Sequence, residues 1–69
     1  LRMYPNPATS DIRVEWGKFK SATIYNLLGV ELLQTDQDLI SLRGLPAGLY
    51  ILTLQGQLGQ IVKVKIVKE

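Results

Sequence analysis

The sequence contains no cysteine and no histidine. Without thiols, neither a disulfide framework nor a thiolate metal site can stabilise the fold. Without imidazole, the usual base of nucleophilic triads, the commonest zinc ligand and most proton shuttles are missing. A chain of 69 residues also leaves little room for a deep pocket beside its core. An enzyme is therefore the least expected class of function, and we predict no catalytic, cofactor or metal site.

Long apolar runs are missing as well. No run approaches the roughly 18 residues that a membrane-spanning helix needs, and no signal peptide precedes Pro5. We therefore predict no direct membrane insertion. The first residue is Leu1 rather than methionine, which favours a single domain, residues 1–69, cut from a larger precursor. The lack of cysteine fits a cytosolic protein, and equally an exported bacterial protein that does without disulfides.

The positive charge is small and lies at one end of the chain. The net charge is +2, and the charges up to residue 56 cancel. The excess comes from Lys63, Lys65 and Lys68 against Glu69. Because a nucleic-acid binder usually presents a broader basic face, we predict no nucleic-acid partner. These lysines are expected to form a solvated strand face.

Glycine and proline interrupt the chain at short intervals, and no stretch carries an apolar stripe at helical spacing. This pattern predicts an all-β fold of about seven short strands, packed as a sandwich. The strands are expected at residues 1–4, 12–16, 19–26, 30–34, 39–42, 49–55 and 60–68. The core is expected to contain Ile12, Val14, Trp16, Ile24, Leu32, Leu42, Leu45, Tyr50, Leu52, Val62, Val64 and Ile66.

Two strands carry specific expectations. Residues 49–55 are apolar on both faces, which favours a central strand covered on both sides. The last strand alternates, so that Val62, Val64 and Ile66 are expected to face inward while Lys63 and Lys65 face outward. Lysines on an exposed strand also oppose edge-to-edge aggregation.

Three weak motifs have simpler explanations. Gly56 and Gly59 have the spacing of the backbone clamp of an RNA-binding KH domain, but here the loop joins two strands. Asp36 and Asp38 resemble the opening of a calcium loop that lacks its glycine and closing glutamate. The aromatic residues fit a core better than a stacking platform for sugars or bases.

Three short sequence segments, here called strings, are more unusual than these motifs: residues 4–7, residues 24–29 and residues 45–50. The first ends a strand with a rigid turn, because neither proline can donate to a sheet. The second combines a strand with a turn glycine, and the third a core side chain, a glycine corner and a strand. On physical grounds alone these are structural features.

Taken together and in this order, the strings resemble the C-terminal sorting domain of proteins exported by the type IX (Por) secretion system of Bacteroidetes. The Tyr-Pro-Asn-Pro-Ala element of that family matches residues 4–8, and its Tyr-Asn-x-x-Gly turn matches residues 25–29. Its Leu-x-x-Gly-x-Tyr element matches Leu45, Gly48 and Tyr50. A glycine hairpin and a lysine-bearing strand then end the chain. The resemblance covers essentially all 69 residues.

The resemblance implies an immunoglobulin-like β-sandwich that serves as a secretion signal. The outer-membrane translocon would recognise the domain and export its N-terminal cargo through the periplasm to the cell surface or the medium. A sortase-like peptidase would usually remove the domain upstream of Leu1, and the cargo would then be attached to the surface. The motif residues expected to matter for recognition are Tyr4, Pro5, Asn6, Pro7, Gly29, Gly44, Gly48, Tyr50, Gly59, Lys63, Lys65 and Lys68.

The sequence leaves other functions open. The domain is alternatively a retained docking or adhesion module of a surface protein or of the secretion machinery. A sugar-binding accessory domain would need exposed aromatic residues in a row, and Trp16 and Phe19 are the candidates. A homodimer through an unpaired edge strand is a further alternative.

Overall fold

The computed structural model describes residues 1–69 and contains seven β-strands and no helix. A three-stranded sheet has the order β1-β2-β5, and a four-stranded sheet has the order β4-β3-β6-β7. All strand pairs are antiparallel. The strands are β1 (Arg2–Tyr4), β2 (Asp11–Glu15), β3 (Phe19–Tyr25), β4 (Glu31–Thr35), β5 (Leu39–Ser41), β6 (Gly48–Gly56) and β7 (Ile61–Lys68). The predicted all-β sandwich of seven strands is confirmed.

The observed strand limits follow the local turn chemistry. Trp16, predicted to end the second strand, instead begins a turn in which its carbonyl accepts a hydrogen bond from Phe19 N at 2.9 Å. Gly48 and Gly56, predicted to lie in loops, are the first and last residues of β6. The other limits differ from the predicted ones by one residue or not at all.

The core lies between the two sheets. Because side chains alternate across a strand, every second residue of β2, β3 and β6 points into it. The buried apolar side chains are those of Ala8, Ile12, Val14, Ala22, Ile24, Ile40, Leu42, Tyr50, Leu52, Leu54 and Ile66. Of the other predicted core residues, Trp16, Leu45, Val62 and Val64 are half-buried and pack against this cluster. No polar or charged residue is buried.

Leu32 is not in the core, contrary to the prediction. It is 41% exposed, and its neighbour Leu33 packs against the core instead. The cause is the register between the two strands, because Leu33 of β4 lies opposite Ile24, whose side chain is in the core. Residues that lie opposite each other in an antiparallel pair share a face, so Leu33 points inward and Leu32 points to the other face. A β-bulge follows, since Tyr25 pairs with Glu31 and leaves Leu32 as the extra residue of β4.

The prediction that residues 49–55 would be covered on both faces is wrong. This strand, β6, is central in its sheet because it pairs with both β3 and β7. One of its faces is buried in the core, but the other has no second layer over it. On that face Leu49 is 43% exposed, and Ile51 and Thr53 are half-buried. The apolar side chains there are shielded only by cross-strand neighbours, so the four-stranded sheet has one open face.

Candidate recognition surface

The side chain of Asn6 binds the outer edge of β7. Asn6 Nδ2 donates a hydrogen bond to the Lys65 carbonyl at 3.1 Å, and Asn6 Oδ1 accepts one from Val67 N at 3.1 Å. A side-chain amide offers one donor and one acceptor, as a neighbouring peptide group would. Asn6 therefore takes the place of a strand partner over these residues.

The backbone that follows the Pro-Asn-Pro turn continues this pairing. Ala8 N donates to the Val67 carbonyl at 2.8 Å, and Glu69 N donates to the Ala8 carbonyl at 2.8 Å. Ala8 itself is completely buried. The N-terminal motif thus covers the final part of the outer edge of β7 and connects the beginning of the chain to its end.

We expect Asn6→Ala to lower the free energy of unfolding by about 1–2 kcal/mol, since it removes two hydrogen bonds at a partly exposed edge. Urea unfolding of the variant and the wild type would measure this loss. Amide hydrogen exchange at Val67 should also accelerate, because its N–H loses its acceptor. Gln34→Ala, an exposed change on β4 with no side-chain hydrogen bond to lose, should change neither quantity. Unaltered exchange at Val67 would contradict the pairing.

Tyr50 fixes the corner that leads into β6. Its ring is 6% exposed, and its hydroxyl donates a hydrogen bond to the carbonyl of Pro46, four residues upstream. The chain can make this corner because Gly48 adopts a φ of 155°, a region that L side chains rarely enter. The arrangement has the form of the tyrosine corner of immunoglobulin-like sandwiches. Together with the 3 + 4 strand order, it supports the immunoglobulin-like description.

Lys68 differs from the other two lysines of β7. Its alternation with Ile66 places it on the inner face of the strand, and its ammonium donates a hydrogen bond to the Leu45 carbonyl at 2.6 Å. Lys68 thereby joins the end of β7 to the corner before β6. Its contribution is structural, whereas Lys63 and Lys65 lie on the outer face and are exposed.

The turn between β3 and β4 is organised by Asn26. Its Oδ1 accepts hydrogen bonds from Leu28 N at 2.9 Å and from Val30 N at 3.0 Å. Gly29, with a φ of 87°, completes the turn. The result is a self-supporting hairpin that leaves Leu27 62% and Leu28 89% exposed.

This turn borders the open face of the four-stranded sheet. A shallow concavity of about 340 Å³ lies there, with Lys63 at one side and the turn at the other. Its lining residues are Tyr25, Asn26, Leu27, Gly29, Ile51, Thr53 and Lys63. The lining is partly polar and partly apolar, and the concavity is open to solvent.

The ion pairs lie on the other sheet. Arg2 pairs with Glu15 at 3.8 Å, Arg13 with Asp38 at 3.6 Å and Arg43 with Asp11 at 4.0 Å. These pairs are solvent-exposed and contribute little to stability. Lys63 and Lys65 have no carboxylate within 4.0 Å, and the same is true of Lys18 and Lys20 outside β7. Because Lys63 and Lys65 are two residues apart on one strand, they place two unpaired positive charges next to each other on the outer face of β7.

The structure brings several of the predicted site residues together but not all of them. Asn6, Lys65 and Lys68 lie along β7, and Tyr50 lies opposite Ile66 of the same strand. Tyr4 is on the three-stranded sheet, where its hydroxyl donates to Glu15 at 3.1 Å. Pro5 and Pro7 flank Asn6, and both follow cis peptide bonds. The remaining motif glycines, Gly29, Gly44 and Gly59, occupy separate turns with positive φ.

Sequence reasoning missed the parts played by Ala8, Asn26 and Gly56. Gly56 is buried, and a Cβ at this position would overlap the side-chain amide of Gln60 and lie 2.8 Å from Trp16 Cη2. Ala8 and Asn26 stand inside motifs that match the family, and this position was a signal of their importance. The need for glycine at residue 56 depends on how Gln60 and the distant Trp16 pack against it, which the sequence alone does not show. The chain also contains no helix long and apolar enough to cross a membrane.

Comparison with known proteins identifies the family. A family model described as a secretion system C-terminal sorting domain matches residues 2–69. Beta-agarase D of Zobellia galactanivorans is 36% identical over 69 residues, which are 97% of this chain and 14% of the agarase. No solved structure matches the chain. The predicted resemblance is confirmed, and the chain belongs to the family of type IX secretion C-terminal sorting domains.

Proposed function

We propose that residues 1–69 form one domain that the outer-membrane type IX translocon recognises, and that a sortase-like peptidase then removes it from its cargo. Tails of this family mark proteins for export to the cell surface or for secretion, and the family is not catalytic. The chain spans 14% of the length of the agarase that it matches. This share supports a small signal joined to larger N-terminal cargo domains.

The observation that carries the proposal is that the family match extends over the whole sandwich, from residue 2 to residue 69. Within it, the motif side chains Asn6 and Tyr50 make contacts internal to the fold. A signal consisting of a short linear peptide would not need these contacts. We therefore propose that the folded sandwich is what the export machinery reads.

A fusion experiment tests this function. These 69 residues, with their upstream linker, would be attached to a folded fluorescent reporter that is targeted to the periplasm of a host with a type IX system. We expect the reporter at the surface or in the medium, with the domain removed. In a strain without the translocon, the same fusion should stay in the periplasm.

The remaining outcomes separate the alternatives. A reporter at the cell surface with the domain still attached would show that the domain is a retained docking module and not a cleavable signal. Folded reporter that stays in the periplasm of the competent host would contradict the sorting function. Export in the strain without the translocon would contradict the proposed route.

A further inference from the structure

One part of the β7 edge has no partner. In an antiparallel strand the N–H and C=O of a residue point to the same edge, and successive residues alternate. Val67 directs both groups to the outer edge, where Asn6 and Ala8 bind them. By the same alternation, the backbone N–H and C=O groups of Ile61 and Lys63 also point to the outer edge. The N–H group of Lys65 points there as well. The N-terminal motif ends before reaching these groups, so residues 61–65 form a free strand edge.

The side chains along this free edge have a definite pattern. Lys63 and Lys65 project from the outer face, exposed and without a carboxylate within 4.0 Å. Val62 and Val64 project from the inner face and are only half-buried, at the margin of the core. A strand that pairs here would place alternate residues beside the lysines and the intervening residues beside the valines.

The same pattern opposes pairing with a second copy. Two β7 edges joined antiparallel would bring lysines of both copies onto one face of the joined sheet. Like charges facing each other across strands are destabilising, and lysines on edge strands discourage this kind of association. An added acidic strand would be attracted instead, because its carboxylates would lie beside the ammonium groups of Lys63 and Lys65.

We propose that the free edge of β7, residues 61–65, is the docking site for an extended acidic segment of a partner protein, which adds to the sheet as a strand. The segment carries acidic residues at alternate positions, with β-branched apolar residues between them. Main-chain hydrogen bonds supply much of the affinity in such strand addition, and alternate side chains supply the specificity. The inference rests on the proposed function, since the partner would belong to the export machinery.

Asn6 gives this docking site a defined limit. The side chain of Asn6 is already hydrogen-bonded to the Lys65 carbonyl and to Val67 N, so an added strand cannot pair with these groups and has to end beside Lys65. The free stretch therefore accommodates a short segment with acidic residues beside Lys63 and Lys65. A five-residue peptide, Glu-Val-Glu-Val-Glu with blocked ends, reproduces this chemistry and serves as the probe.

Binding of this peptide to the 69-residue chain tests the docking site. We expect chemical-shift changes centred on residues 61–65, and weaker binding at high ionic strength. The same peptide N-methylated at its glutamates keeps its charge but cannot pair with the edge, and should bind at least about tenfold more weakly. Equal binding of the two peptides would overturn strand addition.

Matched double variants test whether the charges of Lys63 and Lys65 contribute to peptide binding. Lys63→Glu with Lys65→Glu should weaken peptide binding about tenfold. Lys18→Glu with Lys20→Glu makes the same change of net charge outside β7 and should have a much smaller effect. A similar loss of peptide affinity in both double variants would show that binding depends only on net charge, and would overturn the site. Concentration-dependent dimerisation through residues 61–65 would also overturn it, with a second copy as the occupant.

Lys63→Pro separates this inference from the sorting function. It removes an outward N–H without removing a β6–β7 hydrogen bond, so the fold should persist while strand addition is blocked. In the reporter fusion, wild type should be exported and this variant retained in the periplasm. If both are exported although the variant no longer binds peptide, the edge is not the docking site and the sorting function stands. If the wild-type fusion is itself retained, the sorting function fails.

Discussion

We expect the Tyr50→Ala variant to lose about 3–5 kcal/mol of unfolding free energy, the usual effect of truncating a large buried aromatic side chain. The ring is 6% exposed and lies beside Ile66 in the core. Stabilities of roughly 0.05–0.15 kcal/mol per residue give a domain of 69 residues about 3–10 kcal/mol in total. The substitution therefore removes at least about a third of the stability if the total lies near 10 kcal/mol, and all of it if the total lies near 3 kcal/mol.

Tyr50→Phe is the matched control. It keeps the ring and removes the hydroxyl that binds the Pro46 carbonyl. The expected loss is about 1 kcal/mol, since one hydrogen bond is lost and the exposed Pro46 can bind water. Urea unfolding of the variants and the wild type measures both effects. A loss below about 1 kcal/mol for Tyr50→Ala would show that the ring is not part of the core.

β2 and most of β3 were predictable because their sequences alternate between apolar residues on the buried face and other residues on the opposite face. Ile12 and Val14 of β2, and Ala22 and Ile24 of β3, point inward as the alternation requires. Glycine and proline marked most of the turns. These signals are local, and local signals are what a single sequence carries best.

The errors arose where a distant segment decides the outcome. Leu32 is exposed because Leu33, and not Leu32, lies opposite the core residue Ile24, and the residues of β4 do not by themselves determine this register. The open face beside Ile51 depends on whether another layer exists, which apolar content alone does not show. The Asn6 side chain binds residues 59 and 61 positions away. Each of these features belongs to tertiary pairing, which strand periodicity does not encode.

The motif residues divide into two groups once they are placed in the fold. Asn6, Tyr50 and Lys68 hold segments of the chain together. The side chains of Lys63 and Lys65 make no such contacts and face solvent. We expect substitution of a residue of the first group to impair export by destabilising the fold, whereas substitution of one of the second group tests recognition directly. Stability therefore has to be measured alongside export for every variant.

Removing residues 61–69 is expected to unfold the domain and to abolish export. The deletion eliminates β7, which pairs with β6 from Gly48↔Lys68 to Gln55↔Ile61, and with it the buried Ile66. It also removes the edge to which Asn6 and Ala8 bind, so the N-terminal segment loses its anchor. Circular dichroism and the dispersion of an amide NMR spectrum would show the loss of structure. A shortened chain that keeps a dispersed spectrum would contradict this expectation.

Loss of export by that deletion alone would not show that β7 is read by a partner, because the fold is lost together with the strand. Two neighbouring substitutions separate the effects. Ile66→Ala should lower the unfolding free energy by about 2–5 kcal/mol, and export should fall with the folded fraction. Lys65→Ala should change stability by less than about 0.5 kcal/mol. A loss of export in this stable variant is then a loss of recognition, because its sandwich is still folded when it reaches the machinery.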